Sequence, residues 1–257
     1  MAMTRPATFV KRSPGHDPDF YAVEAAGLRW LAAAGPNAAR VVSVVGVDDH
    51  GIELERLDPD RPDRAAAEAF GRALAATHAA GAAAFGQPPD GWEGDGYIGQ
   101  QRMSLRPDDA WGRFYAEQRM LPFARRARDT GHLSAAAYAR VERVAERLIE
   151  GEFDDERPVA RIHGDLWTGN VLFTRDGVVL IDPAAHGGHG MTDLAMLHLF
   201  GAPYLDAITG AYAEAADLPA GWVDLIGLHQ LHPLLVHAVS HGPSYGSEAG
   251  EIAGRYA

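Results

Sequence analysis

The 257-residue chain has no cysteine and a single lysine, and it is short of positive charge. Without cysteine there are no disulfides and no thiolate-ligated metal sites, which fits a reducing, cytoplasmic setting. Lys and Arg number 23 against 35 Asp and Glu, a net charge of −12. That balance excludes nucleic acid and anionic membrane as partners, since both need a basic face. No apolar run approaches the ~18 residues of a membrane span, and the amino terminus carries no signal-peptide core. A cytoplasmic protein is expected, as a monomer rather than an obligate oligomer. The remaining composition, 47% hydrophobic and 23% charged, is that of one large or two-lobed globular domain.

The scarcity of lysine directs attention to Lys11. A chain that meets its cationic needs with Arg keeps a Lys where a compact ammonium is wanted. Lys11 ends the strand-like run Ala7-Thr8-Phe9-Val10, and a helix with capping signals follows from Asp17-Pro18-Asp19 to Gly35-Pro36. Phe20, Leu28 and Leu31 mark the apolar face of that helix, and Glu24 falls on the same stripe. A core-facing carboxylate needs a partner, and Lys11 is the cation on the preceding strand. The bland alternative is an exposed Lys beside a Glu that snorkels to water. Two further strands, 39–46 and 51–57, are predicted around the turn Asp48-Asp49-His50-Gly51 and complete a small sheet. The Asp/Pro-rich stretch 58–62 then reads as a linker, which divides the chain into residues 1–58 and 59–257.

The most informative stretch is His163-Gly-Asp-Leu-Trp-Thr-Gly-Asn170, followed by two strand-forming runs around Arg175-Asp176-Gly177 and ending at Asp182. A hairpin symmetric about Asp176 pairs Val171 with Ile181 and sets Asn170 opposite Asp182. Asp165, five residues before Asn170 in a Gly-flanked polar turn, then converges on them. Two hard oxygen ligands suit Mg2+, and a third carboxylate can take a proton from an attacking hydroxyl. The bland alternative is a polar turn before a hairpin.

The pattern H-G-D-x-x-x-x-N, with a short hairpin ending in Asp, resembles the catalytic segment of the protein-kinase-like fold, in the branch of small-molecule kinases. With its Trp, H-G-D-L-W-T-G-N resembles the fructosamine (ketosamine) kinase family. The resemblance implies an α+β, two-lobed protein-kinase-like fold with a small β-sheet lobe and a larger, mostly helical lobe. It implies a phosphotransferase using ATP and Mg2+ on a hydroxyl of a sugar-amine adduct, free or protein-bound, as in protein deglycation. Asp165 becomes the catalytic base, Asn170 and Asp182 the Mg2+ ligands, and His163 a loop-shaping residue. Lys11 and Glu24 resemble the lysine–glutamate pair that holds nucleotide phosphates. Leu54-Glu55-Arg56-Leu57 resembles the hinge that meets adenine, making Glu55, Arg56 and Leu57 nucleotide contacts through main-chain groups. Trp167, Trp111 and Tyr97, the last in a Tyr-Ile-Gly segment, are candidate substrate contacts.

One feature departs from the family pattern. No Gly occurs among the ten residues before Lys11, where kinase-like proteins carry a phosphate-covering turn. Either the chain begins downstream of its true start or this lid is absent. The alternatives are therefore a kinase for another small alcohol, aminoglycoside- or choline-like, and a catalytically weak nucleotide-binding module. Elsewhere, His78 reads as a core histidine on a helix over 64–80, and 138–149 as an amphipathic helix. Residues 183–190 read as a flexible loop whose His186 and His189 lack further ligands for a metal. Thr192 or Asp193 reads as the cap of a helix over 194–200; the resemblance to the kinase-like fold implies that Asp193 also braces the His163 segment.

Overall fold

Apolar periodicity and turn chemistry separate the chain into a small sheet with one helix, and a larger helical part. A computed structural model describes residues 7–12, 17 and 19–257. Residues 1–6, most of the Gly-free stretch before Lys11, residues 13–16 and Pro18 lie outside the described residues.

Strand β1 (Thr8–Lys11) pairs antiparallel with β4 (Gly51–Glu55), which pairs with β3 (Val44–Asp48), giving the order β1-β4-β3. Helix α1 (Phe20–Ala32) packs on this sheet through Tyr21, Leu28 and Leu31. The predicted strand over 39–46 is two strands. Its first part, β2 (Arg40–Val41), leaves the small sheet and pairs in parallel with the hairpin that follows Asn170.

That hairpin is β8 (Val171–Thr174) and β9 (Gly177–Leu180), with Val171 opposite Leu180 and Thr174 opposite Gly177. Its register is one residue off the symmetric pairing expected from sequence. The Thr174 hydroxyl donates to the Gly177 carbonyl at 2.8 Å and accepts from the Asp176 amide at 3.3 Å. This tightens the connection to two residues and sets Asn170 opposite Ile181 instead of Asp182.

The helical part begins with α2 (Arg64–Ala79), capped by the Asp63 carboxylate accepting from the Ala66 amide at 2.9 Å. A short hairpin follows, β5 (Gly96–Ile98) and β6 (Gln101–Met103). Then come α3 (Trp111–Phe114), a π-helical stretch over Tyr115–Met120, α4 (Leu121–Asp129) and α5 (Ala135–Ile149). Strand β7 (Ala160–Ile162) leads into the His163 segment and pairs with β10 (His186–Gly188). Residues 183–190 are thus not the loose loop expected, because His186–Gly188 is a fully buried strand. Helices α6 (Met191–Phe200), α7 (Leu205–Ala215), α8 (Ile226–His241) and α9 (Pro243–Tyr256) complete the chain. Pro233 lies inside α8 and has no N–H for the His229 carbonyl, and the Tyr115 hydroxyl donates to that carbonyl at 2.9 Å instead.

Two apolar cores result. One joins α3, α4, α5, α8 and α9 through residues such as Phe123, Val144 and Leu234. The other runs from α1 and β4 through α2 into the β8–β9 hairpin, α6 and α7, by Leu28, Phe70, Val179 and Leu194. The second core crosses residue 58, so the small sheet and the β8–β9 hairpin are packed as one unit.

Candidate active site

The His163 segment is shaped by one imidazole and one buried carboxylate. His163 Nε2 lies 2.9 Å from the Ile181 carbonyl, so that nitrogen carries the proton, and Nδ1 accepts from the Asp165 amide at 3.3 Å. Its burial holds the imidazole below its ordinary pKa, and it stays neutral. Gly164 sits at φ +80, and a side chain there would run into the Ala184 carbonyl. From the other side, the fully buried Asp193 accepts from the amides of His163 at 2.8 Å and Gly164 at 2.9 Å. Asp193 also meets His78 Nε2 at 3.0 Å, and His78 Nδ1 meets the Tyr212 hydroxyl at 2.8 Å. Burial works against the Asp193 carboxylate, yet these partners outweigh it and hold its pKa below the ordinary value.

Asp193 is therefore not a helix cap. Gly190 occupies the N-cap position of α6 without a side-chain cap, and Asp193 lies inside the first turn. The sequence signal for this role was present. Met191, Leu194, Ala195 and Leu197 around Asp193 are all apolar and buried, so its carboxylate raises the same question as Glu24. His78 and Tyr212, which complete the network, carry no comparable mark in the sequence.

Seven of the candidate residues line one cleft of about 220 Å³: Lys11, Glu24, Tyr97, Asp165, Trp167, Asn170 and Asp182. Lys11 Nζ lies 3.0 Å from Glu24 and 3.1 Å from Asp182. Burial disfavours its ammonium, but the two carboxylates more than compensate and raise its pKa. Glu24 is 7% exposed, and its Oε1 has no hydrogen-bond partner among the described residues.

Asp182 adopts the left-handed backbone region at φ 52, which Asp tolerates better than most side chains. Its carbonyl accepts from Asn170 Nδ2 at 3.3 Å, and the same nitrogen lies 2.8 Å from the Asp165 carbonyl and 3.4 Å from its carboxylate. The three oxygen-bearing groups converge as expected, although through this positive-φ residue rather than by direct pairing. With the Asn170 nitrogen so engaged, its amide oxygen and the Asp182 carboxylate form a hard-oxygen donor set suited to a cation such as Mg2+. Burial drives the Asp165 carboxyl up to about 7, and the neighbouring Asp193 and Asp182 charges add to this. It is poised to exchange a proton near neutrality.

Asp165 and Trp167 also line a second, wider groove of about 790 Å³ bounded by Gln100, Gln101, Phe200 and Tyr245. Trp167 is 40% exposed, and its indole lies against Gly169, where a Cβ would strike the ring.

Four candidates lie elsewhere. Trp111 is a core residue, its ring stacked against both Tyr115 and His229 with centroids at 5.4 and 4.8 Å. Glu55, Arg56 and Leu57 border a separate depression beside Thr174–Asp176. The Glu55 carboxylate pairs with Arg40 and Ser43, and the Glu55 and Arg56 amides donate to the Ser43 and Ala7 carbonyls. Neither residue has a main-chain N–H left for a base, and the expected main-chain hinge contact reduces to carbonyls and Leu57.

The fructosamine kinase profile matches residues 2–256. A probable ketoamine kinase of Enterococcus faecium is 30% identical over 251 residues, 96% of this chain and 86% of that protein. One from Thermus thermophilus is 30% identical over 239 residues, 92% of this chain and 82% of that protein. Among solved structures, a Thermobifida fusca protein described as a fructosamine-3-kinase is 47% identical, with a TM-score of 0.87 over 96% of this chain and 85% of its own. The aminoglycoside phosphotransferase APH(2'')-Ib, at 11% identity and a TM-score of 0.62 over 96% of this chain and 85% of its own, shares the fold. A match of this extent makes the protein a phosphotransferase of the protein-kinase-like fold, and the chain belongs to the fructosamine kinase family.

Proposed function

We propose that this chain transfers the γ-phosphoryl group of ATP, with Mg2+, to a hydroxyl of a ketosamine, either free or carried on a protein side chain. One observation carries the reading: Asp165 stands where the narrow cleft meets the wide groove, with Lys11, Asn170 and Asp182 behind it and Trp167 beside it. Lys11 binds nucleotide phosphate oxygens, oriented by Glu24. Asn170 and Asp182 hold the cation, which when bound neutralises charge developing on the phosphates. Asp165 accepts the proton of the acceptor hydroxyl as its oxygen bonds to phosphorus and the bond to ADP breaks. The groove is bounded by aromatic rings and neutral amides, and among the described residues Asp165 is its single carboxylate. Such a lining suits a sugar ring better than the polycationic aminoglycosides, which need several carboxylates.

The test is ADP release from Mg-ATP with fructosyl-lysine, kanamycin or choline as acceptor. Turnover is expected with fructosyl-lysine alone, and Lys11→Ala should reduce nucleotide binding below detection. Turnover confined to kanamycin or choline contradicts the acceptor assignment. Unchanged ATP affinity in Lys11→Ala removes Lys11 from phosphate binding.

A further inference from the structure

The α8 wall of the wide groove carries two imidazoles that phosphoryl transfer does not use. His237 and His241 stand four residues apart on α8, which puts both side chains on one helix face. Their rings stack with centroids 5.0 Å apart and planes inclined by 22°, and both line the groove. His237 Nδ1 lies 2.8 Å from the Pro233 carbonyl oxygen. A carbonyl only accepts, so Nδ1 carries the proton and Nε2 keeps its lone pair. Metal-ligating histidines are anchored in this way, with one nitrogen fixed to a carbonyl and the other offered as a ligand. Phe200 and Tyr245 pack around the His237 ring at 4.7 and 5.1 Å and hold its orientation. His241 lies at the exposed end of the helix, with the Tyr245 ring 6.1 Å from its own.

We propose that His237 and His241 form a two-imidazole site for a divalent transition cation of the Zn2+, Co2+ or Ni2+ class, distinct from the oxygen site at Asn170 and Asp182. Two nitrogens bound tetrahedrally to such an ion are about 3.3 Å apart, a spacing compatible with ring centroids 5.0 Å apart. Imidazole nitrogen prefers these ions, whereas Mg2+ prefers oxygen, so the two sites sort cations by ligand chemistry. Among the described residues, no Lys or Arg lines the groove to repel a cation. Among the described residues no group of three or more His, Asp or Glu encloses a metal. The remaining coordination positions are therefore open to water or to a molecule in the groove, which makes the site exchangeable rather than structural.

The test is titration of the full chain with CoCl2 in excess MgCl2, read by calorimetry and by the visible absorption of imidazole-ligated Co2+. Binding of Co2+ with such bands is expected. His241→Phe and His237→Gln should each weaken it by at least about tenfold and the double variant should abolish it, with thermal unfolding confirming that each variant is folded. Equal affinity and spectrum in His241→Phe and His237→Gln overturn the proposal, as does the absence of Co2+ binding by the unmodified chain. The readout requires no turnover, so failure of the proposed phosphoryl transfer leaves it intact.

Discussion

Asp165 and Asp193 reach the same loop from opposite sides and are held in opposite states. Asp193 is fully buried, yet two backbone amides and an imidazole meet its oxygens, and its charge is stabilised. Asp165 faces two cavities and receives one long hydrogen bond, from Asn170 at 3.4 Å, and its carboxyl is pushed up to about 7. The more deeply buried carboxylate is the one whose charge is favoured, so burial alone does not set the pKa. The number of fixed donors aimed at the oxygens does.

The largest expected effect that sharpens this contrast comes from Asp193→Asn. It replaces an acceptor by an amide whose N–H group faces the donors of His163 or Gly164. It should cost about 3–5 kcal/mol, lowering the midpoint of thermal unfolding by roughly 6–20 °C. A loss of only a degree or two would show that the loop does not depend on Asp193.

A smaller effect appears in the pH dependence of stability. Burial holds His186, His229 and His232 well below the usual imidazole pKa. Below about pH 6.5 the unfolded chain takes up protons there that the folded chain does not, and each site then withdraws up to about 1.4 kcal/mol per pH unit. Asp165 acts in the opposite sense, because its folded pKa is raised and the folded state gains stability as pH falls from about 7 towards 4. With His163 also held low by burial, four imidazoles outweigh Asp165 and Glu24, whose pKa burial likewise raises, so the unfolding temperature should drop between pH 7 and pH 5. A flat or rising profile would mean that those imidazoles are already charged in the folded protein.

The smallest expected effect is a gain. Asp165→Asn removes a carboxylate that is disfavoured at neutral pH, and should stabilise the fold at pH 7 by about 1–3 kcal/mol in denaturant unfolding. A destabilised variant would place Asp165 in the same structural class as Asp193.

Much of the site was legible in the sequence because its parts are local or periodic. Lys11 and Glu24 were paired from helical spacing and the cost of burying a charge, and they stand 3.0 Å apart. Asp165, Asn170 and Asp182 fall within one short stretch, so even a hairpin register wrong by one residue left them together. The features misread depend on distant parts of the chain. β2 pairs with β9 across more than a hundred residues. Capping by Asp193 fails because its carboxylate is taken by amides some thirty positions away, the bracing role that the resemblance implied, and His186–Gly188 becomes a strand because β7 lies beside it. Trp111 carries the same aromatic character whether it faces substrate or core, and the neighbouring His229 and Tyr115 rings decide it.

The claim on which the rest depends is that Asp165 acts on the acceptor and not on the nucleotide. Asp165→Asn, assayed with fructosyl-lysine under saturating Mg-ATP and titrated separately with Mg-ATP by calorimetry, tests it most directly. The account predicts a fall in kcat of about 10²–10⁴ with nucleotide affinity essentially unchanged. Retained turnover, or loss of Mg-ATP binding in step with activity, would contradict it.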